Sequence, residues 1–198
     1  MKTYIVTVTA ADRVGIVHSV TGTIRDRGGN VRELSQTVLR GFFTIILVVE
    51  FPEAHDPAEL GRTVREGGKR FDLTVAVIED RGEATAPPVP GGERFILTVL
   101  GADRPGNIHG IAGCLAALGV NIVDLHARAE AADSRFSLVM EAFLPPDLPP
   151  GEVRAELERY GRDLGLESYV QHEAIFHATA DPRPVRVGPA PSSAVVPH

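Results

Sequence analysis

The sequence predicts an α+β protein built from two copies of one unit, each with the element order βαββαβ. Three observations lead to this prediction. The chain has 198 residues, 43% hydrophobic and 23% charged, which suits a globular protein with two small domains. The second half of the chain repeats the pattern of the first half. Within each half, the hydrophobic period changes between strand-like and helix-like spacing in the same order.

The repeat is clearest in one motif near the start of each copy. Residues 7–18 align with residues 98–109, and both segments contain Asp-Arg-x-Gly. The alignment then continues without a break, placing Asn30 on Asn121. After a hairpin turn that is longer in the second copy, Phe43 falls on Phe136. Self-similarity of this extent indicates an internal duplication.

Each copy begins with a strand and a helix. Apolar and polar residues alternate over residues 4–9 and 95–100, which predicts a half-buried strand in both copies. Helical spacing follows, and Gly28 and Gly119 stand where a helix C-terminal glycine is expected. The apolar stripe of the first helix consists of Val17, Val20 and Ile24 in one copy and of Ile108, Ile111, Leu115 and Leu118 in the other.

The remaining elements complete the unit. Two strands are predicted at about 30–39 and 43–51, with a turn at Arg40-Gly41, while the second copy turns near 131–134. Asp56-Pro57 opens a second helix. Last strands at about 73–77 and 170–176 give the ferredoxin-like arrangement, an antiparallel sheet with both helices on one face. The second helices carry Leu60 and Val64 in copy one and Val153, Leu157, Tyr160 and Leu164 in copy two.

The domain organisation follows from the repeat and from the composition between and after the copies. We expect domain 1 at residues 1–82, a Pro/Gly linker at 83–92, domain 2 at 93–178 and a disordered tail at 179–198. A four-stranded sheet leaves edges and one face that need pairing or burial. The units are therefore expected to dock on each other, and two chains are expected to form a homo-oligomer, most simply a dimer.

Composition and charge exclude several function classes. No apolar run approaches the length of a membrane span and no signal-peptide core follows Met1, so we expect a cytoplasmic protein without membrane contact. The net charge is −6, and no basic stripe suits direct nucleic-acid binding. Cys114 is the one cysteine and is interpreted as a packing residue.

The candidate binding site is the turn between the first strand and the first helix. Unpaired N–H groups at a helix start carry partial positive charge and can hold a small anion such as a carboxylate. Those groups belong to Gly15, Ile16 and Val17 and to Gly106, Asn107 and Ile108. Asn30 and Asn121 could accept hydrogen bonds from an ammonium group. The alternative explanation for an asparagine at these positions is a backbone in the left-handed conformation after the helix. For Asp12 and Asp103 the alternative to ligand contact is helix N-capping.

No catalytic or metal-binding pattern stands out. His172 and His177 are five apart in a predicted strand, so they do not form the zinc motif H-E-x-x-H. No Ser/His/Asp grouping, Cys/His grouping or phosphate-binding loop occurs. We therefore expect no enzyme activity, no metal and no cofactor. His18 and His109 recur at one repeat position, and a small-molecule enzyme that uses them is the least favoured hypothesis.

These features together resemble the ACT domain: Asp-Arg-x-Gly entering a helix, a glycine at its end, Asn-Val or Asn-Ile opening the next strand, and βαββαβ order. The resemblance covers residues 2–80 and 93–178, and two such units in tandem are most similar to the glycine cleavage system transcriptional repressor group. It implies ligand sites between paired units, formed by the strand-to-helix turn of one and the second-strand start of its neighbour. The implied ligand-binding residues are Asp12, Gly15, Ile16, Val17, Asn30, Val31, Asp103, Gly106, Asn107, Ile108, Asn121 and Ile122.

The function implied by this resemblance is non-catalytic regulation. Paired units would bind a small amino acid, for example glycine or serine, and thereby modulate a partner protein or a transcriptional response. The alternative is a protein–protein interaction or oligomerisation module that binds no ligand.

Overall fold

The computed structural model describes residues 1–82, 89, 91–130 and 134–175, with the side chain of Glu130 left aside. The chain divides into two units, Met1–Ala86 (unit 1) and Pro87–His198 (unit 2). Most of the predicted linker at 83–92, positions 131–133 of the second hairpin turn and the predicted tail at 179–198 lie outside the described residues.

Both units have the predicted element order. Unit 1 forms a four-stranded antiparallel sheet with strand order β2-β3-β1-β4, and unit 2 forms the equivalent sheet β6-β7-β5-β8. This confirms the α+β class and the two ferredoxin-like βαββαβ units. The elements of unit 1 are β1 Lys2–Ala11, α1 Ile16–Asp26, β2 Asn30–Leu39, β3 Phe42–Phe51, α2 Pro57–Gly67 and β4 Thr74–Asp80. Those of unit 2 are β5 Glu93–Ala102, α3 Asn107–Ala117, β6 Asn121–Glu130, β7 Arg135–Leu144, α4 Pro150–Gly161 and β8 Glu167–His172.

Each unit has its own hydrophobic core between the sheet and its helices. In β1, Tyr4, Val6 and Val8 are buried, as the strand period requires, while the residues between them lie on the other face. The partly buried Cys114 packs against the core of unit 2, and this burial raises the pKa of its thiol. None of the helices in the described part of the chain is long and apolar enough to cross a membrane.

The first helix of each unit ends at the predicted glycine. Gly28 has φ +78° and donates its N–H to the Arg25 carbonyl, while Gly29 donates to the Ile24 carbonyl at 2.9 Å. Gly119 in unit 2 has φ +69° and ends α3 in the same way. These paired bonds satisfy carbonyls at the helix end, and glycine accepts the left-handed conformation without steric cost.

Two other local predictions are confirmed. Arg40 and Gly41 both have positive φ, as a two-residue hairpin turn requires. Asp56 caps α2, because its Oδ1 accepts a hydrogen bond from the Ala58 N–H at 2.7 Å.

The predicted stripe of the first helix of unit 2 is wrong at its start. The buried face of α3 consists of Asn107, Ile111 and Leu115, whereas Ile108 is 42% exposed. The helix begins at Asn107, and positions four residues apart lie on the same face. Because Asn107 is polar, the apolar pattern of the sequence placed the start of the buried face at Ile108, one residue too late.

The predicted last strand of unit 2 is also displaced. β8 spans Glu167–His172 rather than 170–176, and residues 173–175 are helical, while Phe176 lies outside the described residues. Its pairing with β5 begins at Leu100 and Glu167. The strand start was missed because Ser168 occupies a core position where an apolar residue is expected.

We expect Ser168→Val to stabilise the protein by about 1–2 kcal/mol. Ser168 is 5% exposed, and within the described part of the chain its Oγ has no hydrogen-bond partner. A buried hydroxyl without a partner costs about 1–3 kcal/mol in desolvation. Val75, the equivalent residue of unit 1, shows that valine fits this position.

Urea unfolding of the full chain, followed by circular dichroism, measures this effect. Ser35→Val is the control, because Ser35 lies exposed on β2 and its replacement should change the unfolding free energy by less than about 0.5 kcal/mol. A loss of stability in Ser168→Val would show that the hydroxyl is satisfied in solution.

Candidate functional site

The candidate site of unit 1 is an open cleft at the turn between β1 and α1, which we call the turn cleft. Its volume is about 480 Å³. It lies where the sequence predicted a ligand, since Asp12, Gly15, Ile16 and Val17 line it. The other lining residues are Arg13, His18, Gln36 and Phe43.

The start of α1 supplies unpaired donors to this cleft. Gly15 occupies the N-cap position with φ +100°, and no side chain caps the helix. The first helical bond runs from the Ser19 N–H to the Gly15 carbonyl at 3.0 Å. The N–H groups of Ile16 and Val17 have no acceptor among the residues that the structure describes. These amides carry the partial positive charge of the helix N-terminus.

A guanidinium lies beside the same turn. A Cβ placed on Gly15 would lie 3.2 Å from Nη2 of Arg70, so the two groups are in near contact. The Arg70 Cζ lies 4.4 Å from the ring centroid of Phe71, a buried residue. No carboxylate in the described residues pairs with Arg70. The turn of unit 1 thus combines free amides with an unpaired cation.

N-capping by Asp12 and Asp103 is wrong, because Gly15 and Gly106 occupy the two N-cap positions. The aspartates stand three residues earlier, where the chain leaves β1 and β5. Their main-chain N–H groups donate to the Gly41 and Ser134 carbonyls at 2.8 and 2.7 Å. Asp12 is exposed and lines the turn cleft, so its carboxylate is available to a ligand.

The turn of unit 2 has the same backbone but different chemistry. Gly106 has φ +92° and is the N-cap of α3, again without a side-chain cap. Asn107 is only 3% exposed, and its Nδ2 donates to the Ala102 carbonyl at 3.0 Å. Its side chain is therefore used in joining the helix to the end of β5. The Asn107 N–H also donates to the Arg104 carbonyl at 3.3 Å.

The polar residues around the two turns also differ. The repeat places Asp163 of unit 2 at the position of Arg70, which reverses the charge near the turn. It also places Ala127 at the position of Gln36, which removes an amide from β6. Unit 1 is consequently the better environment for an anionic group.

The structure does not bring the predicted asparagines to the turn of their own unit. Asn30 and Asn121 are the first residues of β2 and β6, and Val31 and Ile122 follow them. The alternative of a left-handed backbone is wrong for both asparagines, because neither has positive φ. β1 and β2 are each antiparallel to β3 and hence parallel to each other. The start of β2 therefore lies at the end of the sheet opposite to the turn, about 20 Å along the strand from Gln36.

Four residues at this site were not predicted as ligand contacts: Arg13, Gln36 and Phe43 line the cleft, and Arg70 lies beside Gly15. Gln36 and Phe43 reach the cleft because β2 and β3 place them on the helix side of the sheet. Alternation within β2 could have indicated Gln36. Arg70 lies in the short 3-10 helix Lys69–Phe71 that follows α2, and no local pattern connects it with Gly15.

Two further observations bear on other chemistry. A larger cleft of about 640 Å³ lies in unit 2 at the end of β5, where Leu100, Ala102, Ser137 and Glu167 line it. In the described ranges, no group of three or more His, Cys, Asp or Glu side chains could hold a metal ion.

Comparison with known families identifies the units. A model of the ACT domain matches residues 2–77 and again residues 93–171. The chain belongs to the ACT-domain family. Since the two matches cover most of its length, it is a tandem ACT protein, and a regulatory role is supported. ACT domains generally bind small amino acids and often oligomerise.

The sequence relatives described here have the length of one ACT unit, because matches of 85 or 86 residues span nearly all of each relative. A UPF0237 protein of Methanopyrus kandleri is 38% identical over 86 residues, which is 43% of this chain and 93% of that protein. The UPF0237 protein YjhC of Lactococcus lactis is 40% identical over 85 residues, 43% of this chain and 94% of its own length.

Solved structures share the tandem fold. An unknown protein from Galdieria sulphuraria has a TM-score of 0.73 and 23% identity, covering 86% of this chain and 98% of its own. A candidate glycine cleavage system transcriptional repressor has a TM-score of 0.65 and 14% identity, and the match covers 86% of this chain and 96% of that protein. At these identities the likeness concerns the fold alone.

Proposed function

We propose that this tandem ACT protein is a non-catalytic regulator that binds a small amino acid, such as glycine or serine, in the turn cleft of unit 1. The observation that carries the proposal is the unpaired Arg70 guanidinium beside the uncapped start of α1. The Ile16 and Val17 amides and Arg70 together suit a carboxylate, because charge-assisted hydrogen bonds to carboxylates are among the strong ones in proteins.

The ammonium group requires acceptors, and the cleft supplies some of them. Asp12 and Gln36 line it, and their side chains carry oxygen atoms that accept hydrogen bonds. A glycine or serine molecule is small enough for a cleft of about 480 Å³ with space left over. The remaining space suits a group contributed by a neighbouring unit.

We propose that a second ACT unit completes the site through Asn30 or Asn121. β2 and β6 are edge strands, and their outer edges are unpaired within their own sheets. Antiparallel pairing of such an edge with that of another unit would place the start of the neighbouring strand near Gln36 and Gly15. The same pairing would bring Val31 or Ile122 beside the ligand.

Regulation would follow from a shift in the docking of paired units. A ligand held by groups of two units stabilises one docking geometry by its differential affinity for that geometry. A partner protein then responds to the favoured geometry, and a transcriptional response is one outcome of such a contact. The location consistent with this function is the cytoplasm.

The second candidate function is an interaction module that binds no ligand. It is favoured by the apolar residues of β2 on the helix side, since Leu34 and Val38 are 47% and 43% exposed. In that case the β2 edge alone would hold units together, and amino acids would have no effect.

A thermal-shift screen of the full chain against the common amino acids separates these functions. The proposal predicts that glycine, serine or another small amino acid raises the melting temperature by roughly 5–20 °C at concentrations about 100-fold above its Kd. The matching amino-acid amide, which lacks the carboxylate, should have no effect. If no amino acid shifts the melting temperature at about 10 mM, the ligand-free module is favoured.

A further inference from the structure

The sheet of unit 1 has an apolar face that its own helices do not cover. This open face of unit 1 lies opposite α1 and α2 and is formed by alternate residues of β1 to β4. Phe42, Ile46 and Ile78 on it are 69%, 46% and 66% exposed. Its large apolar residues are Ile5, Leu39, Phe42, Ile46, Val48 and Ile78.

The rest of the open face is largely uncharged. One row across all four strands consists of threonines in register, Thr37, Thr44, Thr9 and Thr74. The carboxylates of this face, Glu33, Glu50 and Asp80, lie toward the end of the sheet where β1 and β2 begin. A broad neutral surface therefore extends from the centre of the sheet to the hairpin at Arg40-Gly41.

Unit 2 shows that the fold does not require this surface. At the equivalent positions of its sheet, Phe42, Val48 and Ile78 are replaced by Arg135, Glu141 and Gln171. The four threonines are replaced by Arg128, Ser137, Leu100 and Glu167, two of which are charged. Because the same sheet forms with charged residues there, the apolar residues of unit 1 serve something other than folding of the unit.

We propose that the open face of unit 1 packs against the open face of unit 1 in a second copy of this chain. In a two-fold dimer the same surface of both chains forms the interface. A neutral apolar face would therefore contact another neutral apolar face, and the two are complementary. The open face of unit 2 is a poor partner for this surface, because the ion pair between Arg94 and Glu141 on it would lose water against apolar side chains. Aligned sheets that pack face to face are a common arrangement.

The size of the open face suits a dimer. Four strands of about nine residues cover roughly 600 Å² on one side, from strand spacings of about 4.8 Å and rises of about 3.3 Å. Two such faces would bury about 1,200 Å², which exceeds the roughly 1,000 Å² expected of a specific interface. The proposal does not depend on the amino-acid site, because the turn cleft lies on the helix side of the sheet.

The test is sedimentation equilibrium of the full chain and of two matched variants. Ile46→Glu places a carboxylate at the centre of the open face of unit 1. Val139→Glu places it at the equivalent position of unit 2, where Val139 is 38% exposed. We expect a dimer for the wild type, an increase of at least about 100-fold in the dimer dissociation constant for Ile46→Glu, and an unchanged dimer for Val139→Glu.

A second variant protects the test against misfolding. Ile78→Lys lies on the edge strand β4 and should also give a monomer, and circular dichroism verifies that each variant is folded. A wild type that remains monomeric at about 50 μM, a concentration at which a dimer with a micromolar Kd would be assembled, would overturn the proposal. A dimer that survives both unit 1 variants, or that dissociates equally in Val139→Glu, would also overturn it and assign association to another surface.

Discussion

Gly101→Val is expected to destabilise the protein by about 3 kcal/mol or more, a large effect for one side chain. A Cβ on Gly101 would lie 2.5 Å from the Gly165 carbonyl oxygen and 2.7 Å from Cδ2 of Leu166. The obstructing segment is held in place, because the Leu166 N–H donates to the Gly161 carbonyl at 3.0 Å and pairing of β8 with β5 follows directly. Either the backbone before β8 shifts or the strand pair opens.

The control for this prediction is another glycine of unit 2. Gly113 lies exposed in α3, and a Cβ there meets no atom within 4 Å. Gly113→Ala should therefore stabilise the protein by up to about 1 kcal/mol. Urea unfolding of both variants measures the difference. Equal stability of Gly101→Val and the wild type would mean that the β5–β8 junction is looser than the structure shows.

Arg70→Glu is expected to weaken amino-acid binding by at least about 100-fold. The substitution removes a charge-assisted hydrogen bond to the ligand carboxylate, which contributes about 1.5–3 kcal/mol, and adds a repulsive charge beside Gly15. Isothermal titration calorimetry with the amino acid that gives the largest thermal shift measures the change in Kd.

The matched control is Arg62→Glu, the same charge change at an exposed position of α2. It should leave the Kd within about twofold, because Arg62 is exposed and does not line the turn cleft, and solvent and salt screen the interaction of exposed charges with a ligand. Arg70→Lys should retain part of the affinity, since lysine keeps the charge but loses the planar pair of donors. Equal affinity of wild type and Arg70→Glu would remove Arg70 from the site.

The fold could be predicted because the duplication presented each pattern twice. The alternation in β1 and β5, the glycines after α1 and α3, and the hairpin at Arg40-Gly41 are local signals that the packing then preserves. The errors occurred where a polar residue holds a core position. Asn107 and Ser168 interrupt the apolar pattern, and only the tertiary structure shows that both are buried.

The candidate site was predicted only in part, for a physical reason. The free amides of α1 follow from the motif at Asp12, because a positive φ at Gly15 is a local property. The contact between Arg70 and Gly15 depends on how α2 and the 3-10 helix after it return to the start of α1. Such a contact joins residues distant in sequence and leaves no periodic signal.

The charge difference between the units was equally inaccessible without the structure. The repeat aligns Arg70 with Asp163, but the sequence does not show that this position lies near the turn. The structure shows it, because Arg70 lies beside Gly15. The sequence indicated ligand-binding residues at both turns and did not decide between the two units. The structure favours unit 1, because Asn107 and Asp163 change the polar environment in unit 2.

The most direct test of the central claim is a titration of the ¹⁵N-labelled full chain with the amino acid that gives the largest thermal shift, followed by NMR. The account predicts that the amide signals of Ile16 and Val17 move together with the side-chain amide of Asn30 or Asn121. The amides of Asn107 and Ile108 should move little. Unchanged signals for Ile16 and Val17 at saturating ligand, or changes confined to the cleft lined by Leu100 and Glu167, would contradict it.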